Sequence, residues 1–368
     1  MEIVAAVSRG PASGFSIERL QLAAPNAGEV LVRMIAVGVC HTDLAAKSGF
    51  YGDLPVVLGH EGAGVVEAVG GDITSVVPGD HVVVSFRSCG ACSECRSGHR
   101  PYCREFVSLN TSGLRDDGSF ALSDTAGPIT GSFFGQSSFA SHILASGDNV
   151  VPVDPSLDLA SMAPFGCGFQ TGAGVVVNTL APDSDSRLVV YGAGGVGMAA
   201  IIAAKAMGVG VIVAVDLNEG RRSIAREIGA THALDGGSPT IVEQVRDATS
   251  GGATHAFDTT SVPAVISAAV TALAPRGELV IVGSGAAPFS LVGDQLISEG
   301  KSVRGSIEGD ADPQEFIPRL VQWYREGRFP VERLITRYPF HEIDRAVADT
   351  RSGAAIKPVL VFPPHPLP

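Results

Sequence analysis

Four cysteines lie in one short segment of the chain, at a C-x2-C-x2-C-x7-C spacing: Cys89, Cys92, Cys95 and Cys103. Four thiolates on one short lobe form the ligand set that a closed, tetrahedral structural zinc needs. The first three lie within seven residues of sequence, too close together for a sensible set of mutual disulfides. We therefore predict a structural zinc in a lobe of residues 88–104 rather than a disulfide framework.

The two remaining cysteines, Cys40 and Cys167, each stand in a motif that contains other polar groups. Cys40 begins the run Cys-His-Thr-Asp after an apolar stretch, Cys167 lies between two glycines, and His60 stands in the run Gly-His-Glu-Gly. Taken singly, a cysteine is more often a small core residue. Together, two thiolates and one imidazole make the three-ligand set of a catalytic zinc whose fourth position is open.

A glycine-rich turn stands between a predicted strand and a predicted helix, and reads Gly192-Ala-Gly194-Gly195-Val196-Gly197. In a G-x-G-x-x-G turn the first glycine permits the turn, the second lets the backbone approach a pyrophosphate, and the third lets helix and strand pack closely. The helix N-terminus then offers free N–H groups to the phosphates. Asp216 ends the next predicted strand, where its carboxylate would accept hydrogen bonds from the ribose hydroxyls and repel a 2′-phosphate. This pattern predicts NAD.

Two alternatives to this interpretation stay open at the level of residues. The turn could be a chance glycine turn with Asp216 as a helix N-cap. Arg221 and Arg222 follow closely and could accept a 2′-phosphate, so NADP is also an alternative. A three-ligand zinc in the same chain as a dinucleotide site suggests hydride transfer between an alcohol carbon and nicotinamide.

The texture of the sequence predicts two kinds of element around these motifs. The first third alternates short β-rich runs with Gly, Pro and Asp turns, which is typical of a compact β-barrel. From Arg187 onward strands and helices alternate, which indicates a parallel sheet of βαβ units. After Lys301 we predict a strand over Ser302–Ile307 and a helix from Asp312-Pro313 to about Arg328.

Length and composition exclude several classes of protein. The chain has 368 residues, long enough for two domains, and its 45% hydrophobic residues exclude a disordered protein. The net charge of −12 argues against a nucleic-acid partner. Leu188–Val215 is almost wholly apolar, but it divides into strand, turn, helix and strand, so we predict no membrane span. Reduced thiols and an N-terminus without a signal peptide predict a cytoplasmic location.

Over almost its whole length the chain resembles the zinc-dependent medium-chain alcohol dehydrogenases, on the zinc and nucleotide motifs above. Within that family it is most similar to the aryl- (benzyl-) alcohol dehydrogenases. The stretches that carry this second resemblance are Phe133–Ala140, Gln170–Gly174, Val303–Asp310 and Phe316–Leu320. The resemblance implies an α/β protein. A GroES-like β-barrel catalytic domain would occupy residues 1–168 and 305–368, and a Rossmann NAD-binding domain would occupy residues 169–304.

The resemblance implies roles around the catalytic zinc. Cys40, His60 and Cys167 would bind the metal, with water or the substrate oxygen as the fourth ligand. Glu61 would lie behind the metal and assist ligand exchange, and Asp43 would hydrogen-bond the other ring nitrogen of His60. Thr42 would accept the alcohol proton. The histidine that continues the proton path in many liver-type relatives is replaced by Ala45, so the proton must leave to water or to another base.

The resemblance also implies the residues that line the cofactor and the substrate. Thr171 and Val196 would contact the nicotinamide end, and His41 and Lys357 would lie near the pyrophosphate. For Lys357 the alternative is a solvated surface charge. Arg221 and Val282 complete the cofactor set. The substrate would be bordered by Phe50, Tyr51, Ser85, Phe133 and Phe134, of which the aromatic ones could instead be ordinary core residues.

An aromatic wall favours flat apolar substrates, so we expect benzylic, cinnamyl or allylic alcohols and their aldehydes rather than ethanol. The alternatives are a biosynthetic aldehyde reductase with a larger substrate, a glutathione-dependent formaldehyde dehydrogenase, or a non-catalytic NAD-binding protein. We expect two zinc ions per chain. The resemblance implies a homodimer or a homotetramer with Leu291–Arg304 near the subunit contact.

Overall fold

The computed structural model describes residues 1–49, 51–52, 54–283 and 287–363. The predicted pocket residue Phe50 lies outside the described residues. The chain divides into two compact units. The first contains Met1–Gly168, Asp312–Val321 and Glu332–Pro368, and the second contains Phe169–Ala311 and Gln322–Val331.

The strands of the described residues, in chain order, are β1 (Glu2–Ser8), β2 (Phe15–Leu22), β3 (Glu29–Gly38), β4 (Val56–Val57), β5 (Gly62–Val69), β6 (His81–Val84), β7 (Leu122–Asp124), β8 (Gly127–Ile129), β9 (His142–Ser146), β10 (Val150–Val153), β11 (Arg187–Tyr191), β12 (Val211–Asp216), β13 (His232–Asp235), β14 (Ala253–Asp258), β15 (Leu273–Ile281), β16 (Ser302–Gly305), β17 (Ile335–Pro339) and β18 (Lys357–Val361).

The α-helices of the same residues are α1 (His41–Gly49), α2 (Ser93–Arg96), α3 (Phe106–Thr111), α4 (Leu159–Met162), α5 (Gly168–Gly174), α6 (Gly195–Met207), α7 (Glu219–Ile228), α8 (Ile241–Ala248), α9 (Pro263–Ala272), α10 (Gly293–Glu299), α11 (Pro313–Arg325) and α12 (Ile343–Ser352). A π-helical turn at Val175–Leu180 follows α5. Within these helices nothing is both long and apolar enough to cross a membrane.

The first unit is built on two β-sheets. One has the strand order β4-β1-β2-β7-β8, and the other has the order β10-β6-β5-β3-β18-β17 with β9 also pairing with β3. Apart from β17 and β18 the paired strands are antiparallel, as the short β-rich runs predicted. Residues of both sheets enclose one hydrophobic core that includes Leu20, Met34, Phe139 and Leu360. This core holds the ends of β3 and β4, from which two of the predicted zinc ligands project.

The second unit is a six-stranded parallel sheet with the order β13-β12-β11-β14-β15-β16. This order reverses direction between β11 and β14, which is the arrangement of doubly wound dinucleotide-binding sheets. The apolar stretch Leu188–Val215 forms β11, α6 and most of β12, as predicted. The predicted glycine turn lies at the carboxyl end of β11, beside the point of reversal.

The structure corrects the predicted boundaries in three places. Residues 305–311 belong to the second unit rather than to the first, because the loop at Gly309 packs directly on the backbone of α5. Helix α11 begins at Pro313 as predicted but ends at Arg325, and its last four residues together with the following turn belong to the second unit. The predicted strand over Ser302–Ile307 ends at Gly305.

Candidate functional site

The predicted catalytic ligands come together in the first unit. Cys40 follows β3, His60 follows β4, and Cys167 lies between a 3-10 turn and α5. The sulfurs of both cysteines, one ring nitrogen of His60 and one carboxylate oxygen of Glu61 all lie within 4.8 Å of one another. A hydrogen bond from Cys167 lowers the pKa of Cys40 well below its ordinary value despite burial, and the charges of His60 and Lys357 act in the same direction.

Asp43 orients the imidazole of His60. Its Oδ1 lies 2.8 Å from His60 Nδ1 and accepts a hydrogen bond from Gly59 N at 3.0 Å, while its Oδ2 accepts one from Cys40 N at 3.0 Å. The predicted hydrogen bond is therefore present. It leaves His60 Nε2 buried, with no hydrogen-bond partner among the described residues. An unpaired buried nitrogen between two cysteine sulfurs fits a zinc ion.

Lys357 has a different partner from the predicted one. Its ammonium lies 2.7 and 2.9 Å from the two carboxylate oxygens of Glu61, and the side chains are 5% and 0% exposed. It is neither a solvated surface charge nor a free cation for a pyrophosphate. Burial raises the pKa of Glu61 to about 7, against the effect of Lys357. Burial alone would lower the pKa of Lys357, but the charges of Glu61 and Cys40 raise it.

Two of the predicted pocket residues pack on the candidate metal ligand. The ring of Phe134 lies 4.7 Å from that of His60, centroid to centroid, and the ring of Phe133 lies 5.5 Å away and perpendicular to it. They belong to a tight loop in which Ser132, Phe134 and Ser137 all have positive φ angles. Gln136 holds this loop by donating to the carbonyl oxygen of His60 at 2.9 Å.

The other predicted pocket residues have different surroundings. Tyr51 packs edge-on against Phe133, with its hydroxyl donating to Thr111 O at 3.0 Å. Ser85 was predicted to border the substrate, and the structure contradicts this. Its side chain is fully buried and donates its hydroxyl hydrogen to Gly166 O at 2.6 Å. Ser85 therefore fixes the segment before Cys167, and it has no exposed surface for a substrate. No motif in the sequence predicts this hydrogen bond.

The four lobe cysteines also meet as predicted. Their sulfurs lie within 4.8 Å of one another, and all are free thiols. The sulfurs of Cys92 and Cys95 are 3.5 Å apart, and those of Cys89 and Cys95 are 3.9 Å apart. Four sulfurs that surround a zinc ion at about 2.3 Å are separated by about 3.8 Å, so the lobe fits the metal. Backbone N–H groups of Cys95 and Arg104 lower the pKa of Cys92 to about 6.

The glycine turn has the geometry of a phosphate-binding loop. Gly192 has a φ of 91°, and a Cβ at Gly197 would lie 1.9 Å from the carbonyl oxygen of Gly192, so neither position accepts a side chain. At Gly194, in contrast, a Cβ would have no protein atom within 4 Å. The helix N-terminus at Gly195 thus faces open space that a pyrophosphate would fill.

Asp216 ends β12 beside this turn. Its Oδ2 accepts a hydrogen bond from Ala193 N at 2.7 Å and its Oδ1 accepts one from Asn218 N at 2.8 Å. Asn218, and not Asp216, caps the following helix, with its side chain accepting from Arg221 N. The N-cap alternative for Asp216 is therefore wrong. Arg221 lies 3.9 Å from the Asp216 carboxylate, while Arg222 is held by the carbonyl oxygens of Asp216 and Leu217.

The remaining predicted residues lie as follows. In the first unit, the first turn of α1 places Thr42 half-buried and His41 exposed. In the second unit, Thr171 is buried in α5, Val196 is half-buried in the first turn of α6, and Val282 is half-buried after β15. Sequence reasoning missed Glu308, whose carboxylate lies 3.4 Å from the hydroxyl of Thr171. Its inclusion in the aryl-alcohol stretch was the only signal available.

Two family models match the chain, and several known proteins are similar to it along most of its length. The family described as "Alcohol dehydrogenase GroES-like domain" matches residues 26–155, and the family described as "Zinc-binding dehydrogenase" matches residues 195–326. A geraniol dehydrogenase from Castellaniella defragrans is 45% identical over 97% of both chains. An S-(hydroxymethyl)glutathione dehydrogenase from Saccharomyces cerevisiae is 33% identical, covering 98% of this chain and 96% of the other.

Solved structures show the same similarity. An alcohol dehydrogenase zinc-binding domain protein from Burkholderia ambifaria is 45% identical and superposes with a TM-score of 0.96 over 99% of both chains. The benzyl alcohol dehydrogenase from Acinetobacter calcoaceticus is 38% identical, with a TM-score of 0.95 over 99% of this chain and 100% of that chain. The expected two-domain fold, a GroES-like domain with a Rossmann-type parallel sheet, is confirmed.

Proposed function

The chain belongs to the zinc-binding alcohol dehydrogenase family, and from that premise we propose that it transfers hydride between NAD and a primary aromatic or allylic alcohol or its aldehyde. The observation that carries the proposal is the packing of Phe133 and Phe134 on His60, inside the cluster of candidate zinc ligands. Similarity to a geraniol dehydrogenase and to a benzyl alcohol dehydrogenase supports the same substrate class.

The residues of the first unit would prepare the alcohol for oxidation. Cys40, His60 and Cys167 would hold a zinc ion, which when bound supplies a Lewis acid for the alcohol oxygen. Asp43 lies 2.8 Å from His60 Nδ1, and a hydrogen bond from Nδ1–H to this carboxylate would leave the Nε2 lone pair available for the zinc ion. Thr42 Oγ1 would accept the alcohol proton. With Ala45 next on this helix face, the proton would pass to solvent or to another base.

The residues of the second unit would bind the cofactor. The amide groups at the start of α6, with Gly194 open beside them, suit a pyrophosphate. The carboxylate of Asp216 suits the adenosine ribose hydroxyls, and its charge favours NAD over NADP. Thr171 and Val196 would border the nicotinamide, with Val282 and Arg221 completing the cofactor contacts.

The ring of Phe134 would select substrates by apolar contact, whereas Phe133 lies behind it with no exposed surface. Phe134 is 8% exposed and lies directly against His60, so a flat substrate held at the zinc ligands would meet an aromatic face. Aromatic and allylic groups bury more apolar surface there than the methyl group of ethanol. The preference for aromatic and allylic alcohols over ethanol therefore follows from the larger apolar area that they bury.

The chain would assemble as a homodimer or homotetramer through its second unit. The outer strand β16 pairs only with β15 among the described strands, so its other edge presents free backbone groups. Helix α10 precedes this strand. Ile297 on the helix, and Val292 and Phe289 in the segment before it, are exposed. Exposed apolar side chains beside a free strand edge are typical of a subunit contact.

The experiment that tests the proposed reaction measures NADH formation with benzyl alcohol, geraniol and ethanol at matched concentrations, with NADP in parallel. We expect kcat/KM for benzyl alcohol or geraniol to exceed that for ethanol by about tenfold or more, in keeping with the extra apolar contact. We also expect NAD to be preferred over NADP. In the matched variant Phe134→Ala, the ratio of kcat/KM for benzyl alcohol to kcat/KM for ethanol should be smaller than in the wild type. If protein that holds two zinc ions has equal kcat/KM values for ethanol and for benzyl alcohol and geraniol, the proposed class of aromatic or allylic substrates is wrong.

A further inference from the structure

A buried acid lies next to the predicted nicotinamide contact of the second unit. Glu308 is 7% exposed, and its Oε2 accepts hydrogen bonds from Gln170 Nε2 at 3.3 Å and from Thr171 Oγ1 at 3.4 Å. All three residues belong to the second unit. These two donors share one oxygen, which is the pattern that an acceptor carboxylate satisfies.

Glu308 is held in this position by a strained loop. Glu308, Gly309 and Asp310 have φ angles of 50°, 68° and 52°, so three successive residues are left-handed and two of them are not glycine. Such a conformation persists only where the surrounding structure enforces it, and strain of this kind clusters at functional sites.

Backbone packing and a network of side chains enforce the loop. A Cβ at Gly309 would lie 2.7 Å from Gln170 O and 2.8 Å from Thr171 O, so only glycine fits against α5 at this point. Asp310 accepts hydrogen bonds at 2.8 Å from both Thr179 Oγ1 and Ser306 Oγ. The position of the Glu308 carboxylate relative to Thr171 is therefore fixed from both sides of the loop.

We propose that Glu308 is a specificity-determining residue for the redox state of the cofactor, and that its carboxylate favours the cationic nicotinamide of NAD⁺ over the neutral ring of NADH. The inference rests on the proposed function, because that function puts the nicotinamide at Thr171. The Glu308 carboxylate lies 3.4 Å from the Thr171 hydroxyl, so it would be near a nicotinamide ring that contacts Thr171. Burial reduces the screening of this attraction by water, so the Glu308 carboxylate acts more strongly than a carboxylate at the surface would.

The test compares the binding of three nucleotides to the zinc-loaded wild-type protein and to Glu308→Gln. Dissociation constants are measured by calorimetry for NAD⁺, NADH and ADP-ribose, which lacks the nicotinamide. We expect Glu308→Gln to raise the ratio of the NAD⁺ constant to the NADH constant about tenfold, which corresponds to about 1.4 kcal/mol. The constant for ADP-ribose should stay unchanged. Glutamine has nearly the same shape and keeps one acceptor oxygen for Gln170 and Thr171.

The remaining outcomes separate this inference from the proposed function. Equal weakening of all three nucleotides in Glu308→Gln would assign the residue a structural role and overturn the inference. An unchanged NAD⁺-to-NADH ratio would overturn it as well. The control Glu243→Gln removes one exposed charge from the same unit and should leave the ratio as in the wild type. A wild-type protein that binds none of the three nucleotides would instead contradict the proposed function itself.

Discussion

At the scale of single residues, Asp43 shows how one carboxylate prepares a metal ligand. It receives three N–H groups, from the His60 ring and from the backbones of Gly59 and Cys40, and it has no exposed surface. The same contacts join both of the chain segments that carry Cys40 and His60, so the ligand geometry depends on this side chain.

We expect Asp43→Asn to make the catalytic zinc labile. The amide NH2 group of asparagine would face one of the three N–H donors, so the His60 ring would lose its orientation. Loss of such a partner typically lowers metal affinity about 10- to 100-fold. The measurement is the zinc content per chain after dialysis against a graded series of chelator concentrations. Asp43→Asn should release one zinc ion early and retain the second, which belongs to the cysteine lobe.

The matched control is Asp185→Asn, which changes an exposed aspartate in the same way. It should release both zinc ions at the chelator concentration that the wild type requires. Identical release curves for Asp43→Asn and the wild type would show that Asp43 does not position the ligand.

Several residue roles could be predicted from the sequence, and others could not. The sequence predicted that Cys40, His60 and Cys167 lie together, because metal chemistry restricts the residue types that serve as ligands. The pairing of Lys357 with Glu61 joins positions 296 residues apart, and no local pattern reports such a contact. Ser85 was misplaced for the same reason, because its partner Gly166 is 81 residues away.

At the scale of elements, the cysteine lobe has little regular structure to stabilise it. Helix α2 has four residues and the following 3-10 turn at Arg100–Tyr102 has three, both too short to persist by themselves. One ion pair, Arg100 with Asp312 at 2.8 Å, fastens the lobe to the start of α11. Metal binding must therefore supply most of the order of the lobe.

Cys92→Ala should reduce stability before it affects the reaction. Loss of a sulfur ligand weakens the structural zinc site, and the Tm should fall by about 5 °C or more. The initial rate with benzyl alcohol, measured at 20 °C on fresh protein, should stay within about twofold of the wild type, because the other metal cluster uses different residues. Scanning calorimetry and proteolysis mapped to residues 93–104 check the first part.

The control for this variant is Ser93→Ala, which alters the adjacent residue and no candidate ligand. Its Tm should equal that of the wild type. Equal Tm values for Cys92→Ala and the wild type would contradict a stabilising role for the lobe.

The elements of the second unit were predicted more closely than their surroundings. Strand β11 and helix α7 have the predicted limits, because alternating apolar strands and capped helices leave a clear local pattern. The loop at Glu308–Asp310 was not predicted. Its positive φ angles arise from packing against α5, and a sequence that places Glu and Asp at left-handed positions gives no local sign of it.

At the scale of the whole molecule, the sequence predicted two units and their fold. It misplaced the residue at which the chain re-enters the first unit, which is Asp312 in the structure. Residues 305–311 were assigned to the catalytic domain because the family resemblance implied a boundary at residue 305. The structure keeps them with the second unit through Gly309 and Asp310. Contacts distant in sequence, and not composition, decide such a boundary.

The subunit contact is expected at the outer edge of the second unit. Ile297 is 83% exposed on α10 and Val292 is 60% exposed just before it, whereas apolar side chains of this size are usually buried when they lie side by side. Burial of one such side chain in a contact contributes about 1.5–3 kcal/mol, and a charge at the same position opposes association.

We therefore expect Ile297→Asp to shift the protein toward single chains. Light scattering coupled to size-exclusion chromatography, over a range of protein concentrations, should show the wild type as a dimer or tetramer and Ile297→Asp at a lower mass. Val77→Asp places the same charge on an exposed apolar position of the first unit, 59% exposed, and should keep the wild-type mass. If Ile297→Asp assembles as the wild type does, or if the wild type itself is a single chain, α10 and β16 do not form the subunit contact. A lower mass with unchanged nucleotide binding would show that assembly and cofactor binding use separate surfaces of the same unit.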